Sequence, residues 1–185
     1  MPEVEVVPAT WAFVDFDGAR IAAVAGQVAE AAGLAVPLRI EVDETTPNGR
    51  VQVLSYEPVV IRVESGAFED AKRPRHLSER SVADVLGRLL LRVGDRLDPA
   101  FGEPPDDADL TLQESTAWDA YAVGRAQRLG FPAQRQRRLY HFRNRHGFTD
   151  VADDVFERLW TADGLTWGDI RAACDEAAAG RRGVA

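Results

Sequence analysis

The chain has 185 residues, 45 % of them hydrophobic, enough to bury a substantial core and to exclude disorder over most of its length. Thirty acidic residues against 22 basic ones leave a formal net charge of −8, so the molecule as a whole is not a non-specific binder of nucleic acid or anionic membrane. Its one cysteine, Cys174, excludes an internal disulfide and a cysteine-based zinc cluster.

Val4 to Phe16 is rich in β-forming and aromatic residues. Asp17 and Gly18 then precede Ile21, Val24, Ala25, Val28 and Ala32, whose spacings of three and four predict an amphipathic helix with Asp17 as N-cap and Gly33 as its stop. Leu38, Ile40 and Val42 alternate, Val51 and Val53 follow, and Asn48-Gly49 between them reads as the turn of an antiparallel hairpin. After Glu57-Pro58, alternation at Val59, Ile61 and Val63 adds a third strand, so a β-meander is expected over 37–64. From Ser78 the period changes: Val82, Val85, Leu86, Leu89, Leu90, Val93 and Leu97 predict a long helix capped by Ser78 or Ser81. The acidic, proline-broken segment 98–109 continues neither helix nor sheet. Helical periodicity returns from Leu112 to Gly130. Further helices are expected after Pro132, from a Thr149 cap to Trp160, and after Thr166.

These elements predict an α+β fold: an N-terminal helix on an antiparallel sheet of three or four strands, a long central helix and a helical C-terminal half. One domain is expected over 1–180, with 131–180 as its helical part and 181–185 as a short tail. The start carries no charged-then-apolar leader, and no apolar run approaches the ~20 residues of a membrane span, which sets the expectation of a cytoplasmic chain with no membrane partner.

Asp15-Phe16-Asp17-Gly18 after an apolar stretch resembles the first motif of haloacid-dehalogenase-type phosphatases, where one aspartate attacks phosphorus and the other shuttles a proton. Ala19 stands where that motif has threonine, and Gly94-Asp95, the residues available for a later motif, fall inside the long helical period. Asp17 as a plain helix cap is the simpler reading.

A second resemblance covers residues 18 to 130. The order of helix, antiparallel strands, long helix, loop and further helix is similar to that of zincin metallopeptidases. Val82-Ala83-Asp84-Val85-Leu86-Gly87-Arg88 matches the apolar and glycine positions of their Val-Ala-His-Glu-Leu-Gly-His. Asp84, Val85 and Arg88 replace the first histidine, the general-base glutamate and the second histidine; Glu114, in Glu114-Ser115-Thr116-Ala117-Trp118, stands at the position of the third ligand. Zinc needs lone pairs, and a guanidinium has none to give. The resemblance therefore implies a relative with no catalytic residues, no metal and no cofactor, in which Asp84, Arg88 and Glu114 form a carboxylate–arginine cluster. The alternative is an ordinary solvated i, i+4 pair at Asp84 and Arg88.

Arg135, Arg137, Arg138, Arg143 and Arg145 give residues 131–150 a charge of about +4 against about −12 for the remainder. On a helix, Arg137, Arg138, His141 and Arg145 share one face, suited to an anion or an acidic partner protein. The competing expectation is that the acidic 98–109 loop and the acidic helix beginning at Asp150 neutralise it. His141 and His146, about 140° apart around a helix, do not converge on a metal, and solvated side chains are expected for them and for His76. Cys174 reads as a packed thiol. In the helix after Thr166, Asp169, Asp175 and Glu176 outweigh Arg171, which speaks against DNA reading. The sequence thus favours a non-catalytic cytoplasmic partner-binding protein. Two rivals are a metal-dependent hydrolase or phosphatase using Asp15 and Asp17 or Asp84 and Glu114, and an RNA- or nucleotide-binding module using the 135–145 arginines.

Overall fold

The computed structural model describes residues 2–182, which form two compact units, one running to Val93 and the other starting at Gly94. In the first unit, strand β1 (Val4–Val7) leads through residues 8–17 into helix α1 (Gly18–Ala31). The Asp17 carboxylate accepts from the Ala19 and Arg20 amides, and Gly33, at φ 71°, provides the left-handed residue that ends the helix, as the sequence predicts. Strands β2 (Leu38–Asp43), β3 (Val51–Tyr56) and β4 (Val59–Glu64) follow, then a two-stranded ribbon of β5 (Glu69–Asp70) and β6 (Arg73–Leu77).

The fold is α+β, but the sheet is mixed, with strand order β1-β2-β4-β3. β1 and β4 flank β2 in parallel, and only β3 runs antiparallel to its neighbour, β4. The expected hairpin between β2 and β3 is therefore corrected: β4 lies between them. Seven residues, 44–50, separate the two strands, too many for a two-residue Asn-Gly turn, and the Ser65 hydroxyl donates to the Thr46 carbonyl within that connection. Burial explains the order. Leu38, Ile40, Val42, Val59, Ile61 and Val63, on the two central strands, are all buried, whereas Val53 and Val51 of the edge strand β3, level with Ile61 and Val63, are only half-buried.

Helix α2 (Glu79–Leu97) starts with the Ser81 amide bonded to the Ser78 hydroxyl and buries Val82, Leu86, Leu90 and Val93. The unit boundary falls within this helix, whereas the sequence reading passed from core to helical part at 130.

The second unit contains α3 (Leu112–Arg128), α4 (Arg135–His146), α5 (Asp150–Thr161) and α6 (Trp167–Arg182). Three of the four helices start at a side-chain cap, and α4 follows Gln134 without one. Thr111 and Glu114 form a reciprocal capping box, Thr149 bonds the Ala152 amide, and Thr166 exchanges hydrogen bonds with Asp169. The core is aromatic: Phe101 stacks on Trp118 at 5.2 Å, Trp118 lies 5.4 Å from Trp167, and Phe142 and Phe156 meet edge to face. α3 and α5 approach so closely that a Cβ on Gly124 would lie 2.0 Å from the Trp160 carbonyl oxygen. Of the segment expected as a tail, Arg181 and Arg182 end α6, and 183–185 lie outside the described residues. Among the described residues no helix is long and apolar enough to cross a membrane.

Candidate functional site

Helix α4 is amphipathic by position rather than by composition. Leu139, Phe142 and His146, three and four apart, are buried, and the opposite side carries Arg137, Tyr140, His141, Asn144 and Arg145. The five arginines of the segment divide into two groups. Arg143 holds Asp153 with two hydrogen bonds of 2.8 and 2.6 Å, Arg135 pairs with Glu157, and Arg138, largely buried, lies 3.9 Å from Asp119. α5 and α3 thus neutralise three charges. The 98–109 loop takes no part in these pairs; its Asp107 binds Arg96 instead.

Arg137 and Arg145 have no carboxylate partner among the described residues, and Arg137 donates to the Gln134 side-chain oxygen at 3.5 Å. Together with His141 they form an exposed stripe at i, i+4 and i+8, from which Arg138 is turned away. Partial burial, followed by the neighbouring Arg137 and Arg138 charges, holds His141 below its ordinary pKa. Two aromatics that the sequence reading did not single out complete the patch. Tyr140 and Phe148 are 59 % and 66 % exposed, and their rings meet edge to face at 6.3 Å. Tyr140 also stands 6.5 Å from His141. The available signal was the position of Tyr140 between Arg137 and Arg145, opposite the apolar stripe.

Solvated histidines were expected at three positions, and two are corrected. His146 is buried, its ring stacked on Phe142 at 3.9 Å, with Nε2 donating to the Gln113 carbonyl at 3.0 Å; burial lowers its pKa. The apolar spacing Leu139, Phe142, His146 could have revealed this. His76, on strand β6, is not a lone side chain: it donates from Nδ1 to Asp15 Oδ2 at 2.8 Å.

Asp84 and Arg88 lie one turn apart on α2, with Asp84 only 6 % exposed, so the solvated-pair alternative is corrected. Neither lacks a partner. Glu114, in the second unit, accepts from the Thr111 amide at 2.9 Å and the Thr111 hydroxyl at 2.8 Å, which commits its carboxylate to the start of α3. Asp15 and Asp17 line the same cavity as Arg20, Arg73, His76 and Glu79. Gly94-Asp95 sits inside α2, where the Asp95 carboxylate is taken by Arg125 and Trp118. Among the described residues no group of three or more His, Cys, Asp or Glu is placed to hold a metal ion. Cys174 is half-buried, and burial pushes its thiol up to about 12.

The exposed α4 face offers two guanidinium groups, an imidazole and two aromatic rings on one surface. Such a face can form charge-assisted hydrogen bonds to carboxylates while the rings cover apolar side chains. Compared with known proteins, the chain matches no protein family, no curated protein and no solved structure.

Proposed function

We propose that this protein works by binding rather than by catalysis, docking an acidic partner protein on the exposed face of α4. The reading keeps the resemblance to a zincin scaffold without its zinc motif, with Asp84 and Arg88 on α2 in place of two ligands. The observation that carries it is the division of charge on α4: three arginines are neutralised within the chain, while Arg137 and Arg145 face solvent with His141 between them and Tyr140 and Phe148 alongside. The two exposed rings beside these guanidinium groups add apolar contact to the charge, the combination that interface cores favour. An acidic protein segment fits better than RNA because it can bring a few carboxylates to this one patch, whereas RNA carries a charge on every nucleotide towards a chain of formal net charge −8.

The test is fluorescence anisotropy with a labelled Asp/Glu-rich peptide containing leucines, beside a single-stranded RNA of equal length. The wild type is expected to prefer the peptide, and an Arg137→Glu, Arg145→Glu variant to bind it at least about tenfold more weakly at unchanged thermal stability. Tighter binding of the RNA would replace this reading with the nucleic-acid one. Binding of neither, or equal binding by the variant, would end it.

A further inference from the structure

We propose that docking on α4 is linked to a proton: an acidic partner that covers the stripe of Arg137, His141 and Arg145 makes His141 take up a proton, so the partner is held more tightly as the pH falls. The inference rests on the acidic-partner reading of this face and adds the residue through which pH governs the contact. The stripe has two fixed charges with a switchable one between them. Arg137, His141 and Arg145 stand one turn apart, about 6 Å in rise from each to the next and about 12 Å from end to end. All three are exposed. Arg137 and Arg145 have no carboxylate partner among the described residues, and His141 makes no hydrogen bond among them; its nearest ring neighbour is Tyr140 at 6.5 Å. A carboxylate drawn to either guanidinium therefore arrives beside an imidazole whose nitrogens are both open.

The surroundings favour the neutral ring until a partner arrives. Partial burial comes first, then the charges of Arg137 and Arg138, with Arg145 behind them, while Asp119 of α3 opposes. Asp119 itself lies 3.9 Å from Arg138, which draws on its charge. The other two helices packed on α4 have their carboxylates engaged elsewhere. On α5, Asp153 is held by Arg143 and Glu157 by Arg135. On α6, Glu176 is held by Arg158, and Asp175 and Arg171 act on Cys174. His141 is thus ringed by guanidinium groups on its own helix and lacks a carboxylate bonded to it.

A partner's carboxylates reverse that balance. They offset the guanidinium charges that disfavour an imidazolium, and they accept a charge-assisted hydrogen bond from it. A difference of about one unit between the pKa of the free and the bound ring corresponds to a tenfold change in affinity. The sign follows from linkage: the gain is complete below the lowered value of the free chain and absent above the raised value of the complex. Aspartate and glutamate side chains of the partner stay ionised down to about pH 4–5, so their own protonation acts below this window and in the opposite direction.

The experiment titrates the full chain with the labelled Asp/Glu-rich peptide at about pH 7.5 and about pH 5.5, and follows the Cε1–H resonance of His141, assigned with His141→Gln, through a pH titration with and without saturating peptide. The wild type is expected to bind about fivefold or more tightly at the lower pH, and the bound ring to titrate about one unit or more above the free one. Acidification also makes the whole chain less negative, an effect that His141→Gln retains; its affinities at the two pH values are expected to differ by no more than about twofold. Equal or weaker binding at the lower pH, the wild-type ratio in His141→Gln, or a ring that titrates alike free and bound each overturns the proton link and leaves the acidic-partner reading standing. No binding at either pH ends both. Should His141→Gln fail to fold, the ring titration of the wild type decides alone, with assignment through its contact to Tyr140.

Discussion

Asp95 and Arg125 form a two-pronged ion pair, Nη1 to Oδ1 at 2.8 Å and Nη2 to Oδ2 at 2.6 Å, and Trp118 adds an indole N–H to the same carboxylate at 2.7 Å. Asp95 is 7 % exposed, and the Arg125 guanidinium lies over the Tyr121 ring at 3.9 Å. A pair this enclosed is costly to break on one side, because the remaining charge keeps its desolvation penalty. Asp95→Ala is expected to lower stability by about 3–5 kcal/mol in urea unfolding followed by circular dichroism. Asp95→Leu with Arg125→Met should recover part of that loss, since no charge is then left behind. A double variant as unstable as Asp95→Ala would show that the pair is worth more than its desolvation.

Gly124 sets how closely α3 and α5 approach. Its missing Cβ would meet backbone at Trp160, which cannot swing aside as the end of a side chain can. Gly124→Ala therefore loses more through the clash than the roughly 1 kcal/mol that alanine gains over glycine in a helix. A net loss of about 3 kcal/mol or more is expected in the same unfolding assay. An unchanged or higher midpoint would mean that the two helices are not held at this distance.

His146 makes stability depend on pH in a definite direction. Burial holds the folded side chain below its ordinary value of about 6.5, so on acidification the unfolded chain takes up a proton there before the folded chain does. The contribution of the neutral ring is complete above about 6.5 and is lost as the pH falls towards the lowered folded value. Between about pH 7.5 and pH 5.5 the melting temperature of the wild type should fall further than that of His146→Gln, whatever the absolute stability of the variant. Parallel slopes would show that the ring titrates alike in both states.

How far the sequence could be read differs between the two units. Helices α2, α3, α5 and α6 announce themselves through local signals, an apolar period with Ser78, Thr111, Thr149 or Thr166 immediately before it, whereas α4 has Gln134 there and no side-chain cap. The strand order is not local information. Leu38-Ile40-Val42 and Val59-Ile61-Val63 alternate in the same way whichever strand lies beside them, so the insertion of β4 between β2 and β3 leaves no mark on either segment. β6 is hidden for another reason. Pro74 weakens a strand reading, and the left-handed residue Arg75 breaks the period of two, so that Arg73 and His76, three apart, line one cavity. The arginine content of α4 is plain in the sequence. Which arginines stay unpaired depends on Asp119, Asp153 and Glu157, on two other helices.

Cys174 yields a chemical prediction. With its thiol pushed up to about 12, three pH units above the ordinary value of 9.0, the reactive thiolate near pH 8 is suppressed on the order of a thousandfold relative to an unperturbed cysteine. Iodoacetamide should label the native protein very slowly and the urea-unfolded protein at the rate of a free thiol. Rapid labelling of the native chain would show that α6 opens around the cysteine.

The seam between β2 and β4 divides the first sheet into two pieces built from separate stretches of the chain. On one side β1, α1 and β2 form a crossover unit that closes before residue 44, and on the other β3 and β4 are joined by a short reversal at Glu57-Pro58. Each piece pairs its own strands, and β2 and β4 join them along Leu38–Asp43 and Val59–Glu64, with Leu38, Ile40 and Val42 level with Val59, Ile61 and Val63. A chain opened between Asn48 and Gly49 would therefore give two pieces, each with a strand pair already specified and an open backbone edge, β2 or β4, at the seam. Six apolar side chains, level across that edge on one face of the sheet, mark the register in which the two edges pair.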